Sequence, residues 1–174
     1  MPEDIYEGNN KYRYAIGIKG KNPLIFLGNN PSTGTPDNPD RVMKRAEHFA
    51  LDNEFELKEK FDSWILFNLY PQRKRNSDSL DQNCDEIIHE ENLAIIKDQL
   101  PKKSTVVAAW GELIIKRKYL FNCLKEIEEI LNKKEVKWKH IGNFTKTGHP
   151  RNLLFLKNDE KIFDFDINNY LRRF

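Results

Sequence analysis

Leu24-Ile25-Phe26-Leu27-Gly28-Asn29-Asn30-Pro31-Ser32-Thr33-Gly34 changes character in its middle. Leu24 to Gly28 read as a strand buried on both faces, the pattern of a parallel sheet covered by helices. Two amides, a proline, two hydroxyls and a glycine follow at once. In open parallel sheets ligands bind just past the carboxyl ends of the strands, so a buried strand that opens into small polar groups points at a site. Trp64-Ile65-Leu66-Phe67-Asn68 and Val106-Val107-Ala108-Ala109-Trp110-Gly111 have the same shape, and a fourth polar cluster, Gly148-His149-Pro150-Arg151, comes near the end. Helical spacing separates these stretches. Asp40 caps a helix to about Leu51, a second helix lies within Leu80–Leu100, and a third runs from Glu112 to about Asn132. The alternation predicts a three-layer α/β/α sandwich with a central, mostly parallel sheet. The four tips are expected to converge on one pocket.

The flanking segments fill out this expectation. Residues 1–11 are polar and read as frayed. Tyr12 to Ile18 reads as a strand, Lys19-Gly20-Lys21-Asn22 as a turn, and the return at Pro23 as a hairpin on one edge of the sheet. Asp52 to Asp62 is a charged crossover, Trp138 to Gly142 a short strand, Leu153 to Leu156 a short strand or helical turn, and Asp159 to Phe174 one amphipathic helix. The length of 174 residues predicts one domain, 1–174, and 39% apolar residues suffice for its core. A net charge of +2 excludes a global basic field and leaves only local ones. Cys84 and Cys123 are too few for an all-cysteine zinc or iron–sulfur site and read as thiols of a reducing cytosol. Met1-Pro2-Glu3-Asp4 has no leader-like pattern, and no run approaches the ~20 apolar residues of a membrane helix. A soluble, cytoplasmic monomer with no membrane partner is expected.

Each polar residue at the tips has a structural and a chemical reading. Asn29 and Asn30 suit a turn, but Pro31 stiffens the backbone behind Asn30 and would aim its side chain. Asn68 stands in an apolar strand, where a buried amide needs partners. It bonds a neighbouring loop or reads a ligand, and an amide matches the edge of a nucleobase. Tyr70 is a core ring or a stacking platform. His149 is held between glycine and proline, and the remaining histidines show no metal-ligand spacing. Asp37 and Asp40 cap a helix or activate water. Arg73, Lys74 and Arg75, then Lys116, and finally Lys146 and Arg151 each lie near a tip. They are solvated charges or a rim that neutralises phosphates.

In this order the pieces resemble the uracil-DNA glycosylase superfamily. Gly28-Asn29-Asn30-Pro31 is similar to its first motif in the asparagine version, Leu66 to Tyr70 to the strand ending near a base-reading asparagine, and His149-Pro150 to the start of its last motif. A closer resemblance, over nearly the whole chain, is to a family of uncharacterised bacterial and phage proteins, domain of unknown function 1643. It is carried by Asn30-Pro31-Ser32-Thr33, Asp37-Asn38-Pro39, Ala108-Ala109-Trp110-Gly111 and Gly148-His149-Pro150-Arg151. The glycosylase resemblance implies a monofunctional enzyme that flips a base from DNA, single-stranded or duplex, and hydrolyses its N-glycosidic bond. Asn30 would hold the attacking water, Asn68 would read the base and His149 would stabilise the departing anion. Gly28, Asn29, Pro31, Ser32, Tyr70, Trp110 and Arg151 would line the pocket, with no metal or organic cofactor. Ser32 stands where the classical uracil enzymes have a tyrosine, and Arg151-Asn152 replaces their serine-proline segment. Ser32 would leave room for a larger or modified base, while the missing carboxylate at position 30 and the altered segment after Pro150 favour the alternative of a non-catalytic nucleobase-, nucleotide- or nucleic-acid-binding module. Hydrolysis of a free nucleoside or nucleotide is a third reading.

Overall fold

The computed structural model describes residues 3–52 and 59–174. Its strands are β1 (Asp4–Gly8), β2 (Arg13–Ile18), β3 (Pro23–Gly28), β4 (Ser63–Asn68), β5 (Thr105–Ala108), β6 (Lys137–Ile141) and β7 (Ile162–Asp164). They form one sheet in the order β1-β2-β4-β3-β5-β6-β7. The central strands β4, β3, β5 and β6 are parallel, while β1, β2 and β7 add on antiparallel at the margins. The sheet is therefore mixed, parallel in its middle.

Strand alternation divides the core between helices on the two faces. Leu24, Phe26, Trp64 and Leu66 pack with Met43 and Ala46 of α1 (Arg41–Glu47) and with Phe49 in the π-helical turn that follows. Ile25, Leu27, Ile65 and Phe67 face the other way. They meet Ile96 of α2 (Glu86–Gln99), Leu124 and Ile127 of α3 (Tyr119–Lys133) and Tyr170 of α4 (Ile167–Leu171). Leu24 to Leu27 are each at most 2% exposed, and burial of side chains of this size is worth about 1.5–3 kcal/mol apiece. Asp40 caps α1 by accepting from the Met43 N–H at 2.9 Å, as its place before the apolar stripe predicts.

Four local expectations are corrected. β2 and β3 do not form a hairpin, because β4 lies between them, with Ile16 opposite Leu66. The Asp62 carboxylate accepts from the N–H groups of Lys21 and Asn22 at 2.9 Å each, drawing the 19–22 connection across the foot of β4. Residues 4–8 are not frayed: they pair with β2 while Ile5 packs against the core. The last segment is not one helix. Its first part pairs with β6 as β7, and Asp166 then caps the short α4. After β5 the chain makes a 3-10 turn, Gly111–Lys116, before α3 begins. Leu153–Phe155 is a 3-10 turn, the helical of the two options. The charged crossover over 52–62 falls largely on residues outside those described. Cys84 and Cys123 are both free thiols, and burial pushes the Cys84 thiol up to about 11.

Candidate functional site

Asn68 ends β4 directly opposite Gly28, the last residue of β3. A Cβ at position 28 would stand 2.7 Å from Asn68 Oδ1, so the glycine gives this amide its seat. From α2, Asn92 Nδ2 donates to the Asn68 carbonyl at 3.0 Å and fixes the strand end. The Asn68 side chain itself is unanswered: it is 3% exposed, and its Nδ2 is buried without a partner. Such a group costs about 1–3 kcal/mol in desolvation. It faces a cavity of about 280 Å³, just under the ~300–1,000 Å³ of small-molecule sites. The cavity lies past the carboxyl ends of the parallel strands, where open α/β sheets bind ligands.

Its walls come from five segments. The loop after β3 gives Asn30, Pro31, Ser32 and Thr33, and the start of α1 gives Asp40, Arg41 and Val42. The loop after β4 gives Lys74, Arg75 and Ser77. Leu113, Asn152 and Leu154 close the remaining side. Arg45 ties that side to α1 by donating to the carbonyls of Leu153 and Leu156 and to Asn158 Oδ1. Arg13 lies at the bottom. Because β2 runs antiparallel to β4, its first residue reaches the end where β4 finishes, and Arg13 N–H donates to the Pro71 carbonyl at 2.9 Å. Four cations, Arg13, Arg41, Lys74 and Arg75, face one carboxylate, Asp40, across this space.

Asn30 lines the cavity, but its amide is occupied. Nδ2 donates to the carbonyls of Pro31 (3.1 Å), Gln72 (3.4 Å) and Lys74 (3.0 Å), while Oδ1 accepts from Asn29 Nδ2 (3.2 Å) and Ser77 Oγ (2.8 Å). Asn30 thus clamps the loop after β3 to the loop after β4. Asn29 is 2% exposed, does not line the cavity, and keeps a buried Oδ1 without a partner. Arg73 is likewise a clamp. It donates to Ser32 O (2.9 Å), Thr33 O (2.7 Å), Gly34 O (3.5 Å), Asn9 O (2.9 Å) and the Tyr6 hydroxyl (3.1 Å). Lys74 and Arg75 line the cavity. Lys116 pairs instead with Asp78 at 2.9 Å.

The aromatic residues are core. Tyr70 accepts from the Asp85 N–H at 3.0 Å and meets Tyr119 edge-on, and its hydroxyl is pushed up to about 12 by burial. Trp110 is fully buried and donates from Nε1 to the Tyr170 hydroxyl at 3.0 Å. That hydroxyl lies 2.7 Å from His149 Nδ1. Burial and the Arg173 cation hold His149 below its ordinary pKa, with Glu112 opposing. His149 is 2% exposed, stacks on Phe174 and is not among the residues that line the cavity. The expected convergence is therefore partial: Asn30, Asn68, Pro31 and Ser32 come together, and His149 does not join them. Lys146 and Arg151 line an adjoining space of about 470 Å³ that shares Leu113 and Asn152 with the first.

The residues that the sequence reading missed are Arg13, Arg41 and Asn152. Arg13 alone carried a signal, a charge set among Tyr12, Tyr14, Ala15 and Ile16 in a predicted strand. Among the described residues, no group of three or more His, Cys, Asp or Glu is placed to hold a metal, and no helix is long and apolar enough to cross a membrane.

Fold and site together define an α/β protein with a basic, amide-bearing cavity at the carboxyl edge of its parallel strands. The chain belongs to the DUF1643 family, described as a protein of unknown function, whose pattern matches residues 13–152. No curated protein and no solved structure matches it.

Proposed function

We propose that this cavity binds a nucleotide and reads its base through Asn68. One observation carries the reading: a side-chain amide, 3% exposed and with Nδ2 unpartnered, is held at the wall of a cation-rimmed cavity. A buried polar group without a partner is a defect unless something arrives to pair with it. An amide offers donors and an acceptor together, which is what a base edge presents in return. Lys74, Arg75 and Arg41 suit the phosphates of a nucleotide or of a DNA strand. The test is titration calorimetry with nucleosides, nucleotides and short oligonucleotides against the wild type and Asn68→Leu. At least a tenfold loss of affinity in the variant is expected, and equal affinity would refute Asn68 as the reader.

Glycosidic-bond hydrolysis, the chemistry of the uracil-DNA glycosylase superfamily, is the second reading. What favours it is Asp40, whose carboxylate lines the same cavity as the site amide while it accepts from the N–H groups of Met43 and Gly34. Asn30 has no hydrogen-bonding capacity left for a water, so positioning of the nucleophile would pass to Asp40. An oxocarbenium-like sugar tolerates such a weakly activated water. Base release from DNA by the wild type and its loss in Asp40→Asn would support the reading. No release from a panel of normal and modified bases leaves the binding module.

A further inference from the structure

Two arginines reach the loop after β3, and they are used differently. Arg73 is only partly buried, and its donors meet five acceptors. Arg13 is 1% exposed, far more desolvated, yet only its Nη1 is bonded. Nη1 donates to Gly34 O at 3.0 Å, with Asp40 Oδ2 at 3.5 Å and Met43 Sδ at 3.9 Å as long contacts. Nε is buried without a partner, and among the described residues no group takes Nη2. Burial pulls this guanidinium below its ordinary pKa against the pull of Asp40, but an arginine stays charged in proteins.

The unused atoms are not a random remainder. Nε–H and Nη2–H point the same way along one edge of the planar guanidinium, the fork that holds two oxygens of a carboxylate or phosphate at once. Arg13 lines the same cavity as Asn68, and Arg41, Lys74 and Arg75 add three cations around it against Asp40 alone. The cavity wall thus carries a net +3, in a chain whose whole net charge is +2. A buried fork without its oxyanion costs stability, and an incoming dianion supplies it.

We propose that the Nε/Nη2 edge of Arg13 is a phosphomonoester seat, so that the ligand is a nucleotide bearing a terminal phosphate. This rests on the nucleotide reading above for the base end, while the seat itself rests on Arg13. The phosphate comes from a free mononucleotide or from the 5′ end of a strand, and the seat treats both alike.

The experiment is calorimetric titration with inorganic phosphate, the four common nucleosides, their 5′-monophosphates, and a short single-stranded oligonucleotide with and without a 5′-phosphate. Wild type is compared with Arg13→Lys, which keeps the charge and loses the fork, and with the exposed rim variant Arg41→Ala. Urea midpoints confirm that each is folded. At least one monophosphate is expected to bind tenfold or more tighter than its nucleoside, with that preference lost in Arg13→Lys. If Arg13→Lys does not fold, the phosphate preference of the wild type and its decrease in Arg41→Ala carry the test. Preference for the 5′-phosphorylated strand over the free monophosphate identifies a strand end as the source, and the reverse identifies a mononucleotide. Equal affinity for nucleoside and monophosphate overturns the seat and leaves the base reading standing. Binding of phosphate alone, lost in Arg13→Lys, keeps the seat and removes the base reading. No binding of any probe removes both.

Discussion

Replacing Asn30 by alanine tests whether this amide is a clamp or a free site group. The side chain is bonded to the loop after β4 through Lys74 O at 3.0 Å and Ser77 Oγ at 2.8 Å, with Gln72 O at 3.4 Å too long to count fully. Two such bonds at about 0.5–1.5 kcal/mol each give roughly 1–3 kcal/mol. Alanine also removes the acceptor of the Asn29 amide, which is 2% exposed, and orphaning a buried donor adds about 1 kcal/mol or more. The expected loss is about 2–4 kcal/mol, or about 4–16 °C in Tm for a chain of this size. The assay is urea unfolding followed by tryptophan fluorescence, and the slope is expected to stay that of the wild type because the same surface is exposed on unfolding. Asn30→Asp, which sets a second carboxylate oxygen against the carbonyls of Pro31, Gln72 and Lys74, is expected to be no more stable than the alanine variant. If Asn30→Ala unfolds within 0.5 kcal/mol of the wild type, the clamp is refuted and the amide is free for chemistry.

The other perturbations separate site from scaffold. Asn68→Leu removes a buried amide nitrogen that nothing satisfies, so thermal unfolding should show a gain of about 1 kcal/mol; a loss of similar size would mean that the amide is structural. Gly28→Ala places a Cβ 2.7 Å from Asn68 Oδ1 and should turn the amide from its seat, weakening nucleotide binding by tenfold or more in calorimetry, while unchanged binding would count against that seat. His149 and His140 are both held below the ordinary histidine pKa, chiefly by burial. Their unfolded forms therefore take up protons first as pH falls, so stability is full above about pH 6.5 and declines below it. Urea midpoints at pH 7.5, 6.0 and 5.0 should fall in the wild type and fall less in His149→Gln; parallel curves would remove His149 from the account.

The layers were legible because burial leaves a mark in composition. Leu24 to Leu27 and Trp64 to Phe67 are continuous apolar runs, and only strands covered on both faces need them. The margins were not legible. β1 and β7 depend on hydrogen bonds to a neighbour already in place, and their own residues (Asp4, Glu7, Asp164) carry no strand pattern. The separation of β2 from β3 was equally illegible, because β4, which lies between them, and the Asp62 carboxylate that holds their connection come some forty residues later in the chain.

The site shows the same limit more sharply. Asn30 and Asn68 look alike in sequence, each an amide at the tip of a buried run, and both line the cavity. What divides them is a count of partners. The loop after β4 folds back over Asn30 and fills its bonds with Lys74 O and Ser77 Oγ, whereas Asn68 lies against a glycine that offers it nothing. Arg73 and Arg13 divide in the same way, one fully answered and one half answered. Residue type says which groups are able to bind, but only the accounting of donors and acceptors says which are still free to do so. By that measure the open groups of this cavity are the amide of Asn68 and the Nε/Nη2 edge of Arg13, and the proposed ligand, which carries a polar planar edge and an oxyanion on one small frame, is the one that would satisfy both.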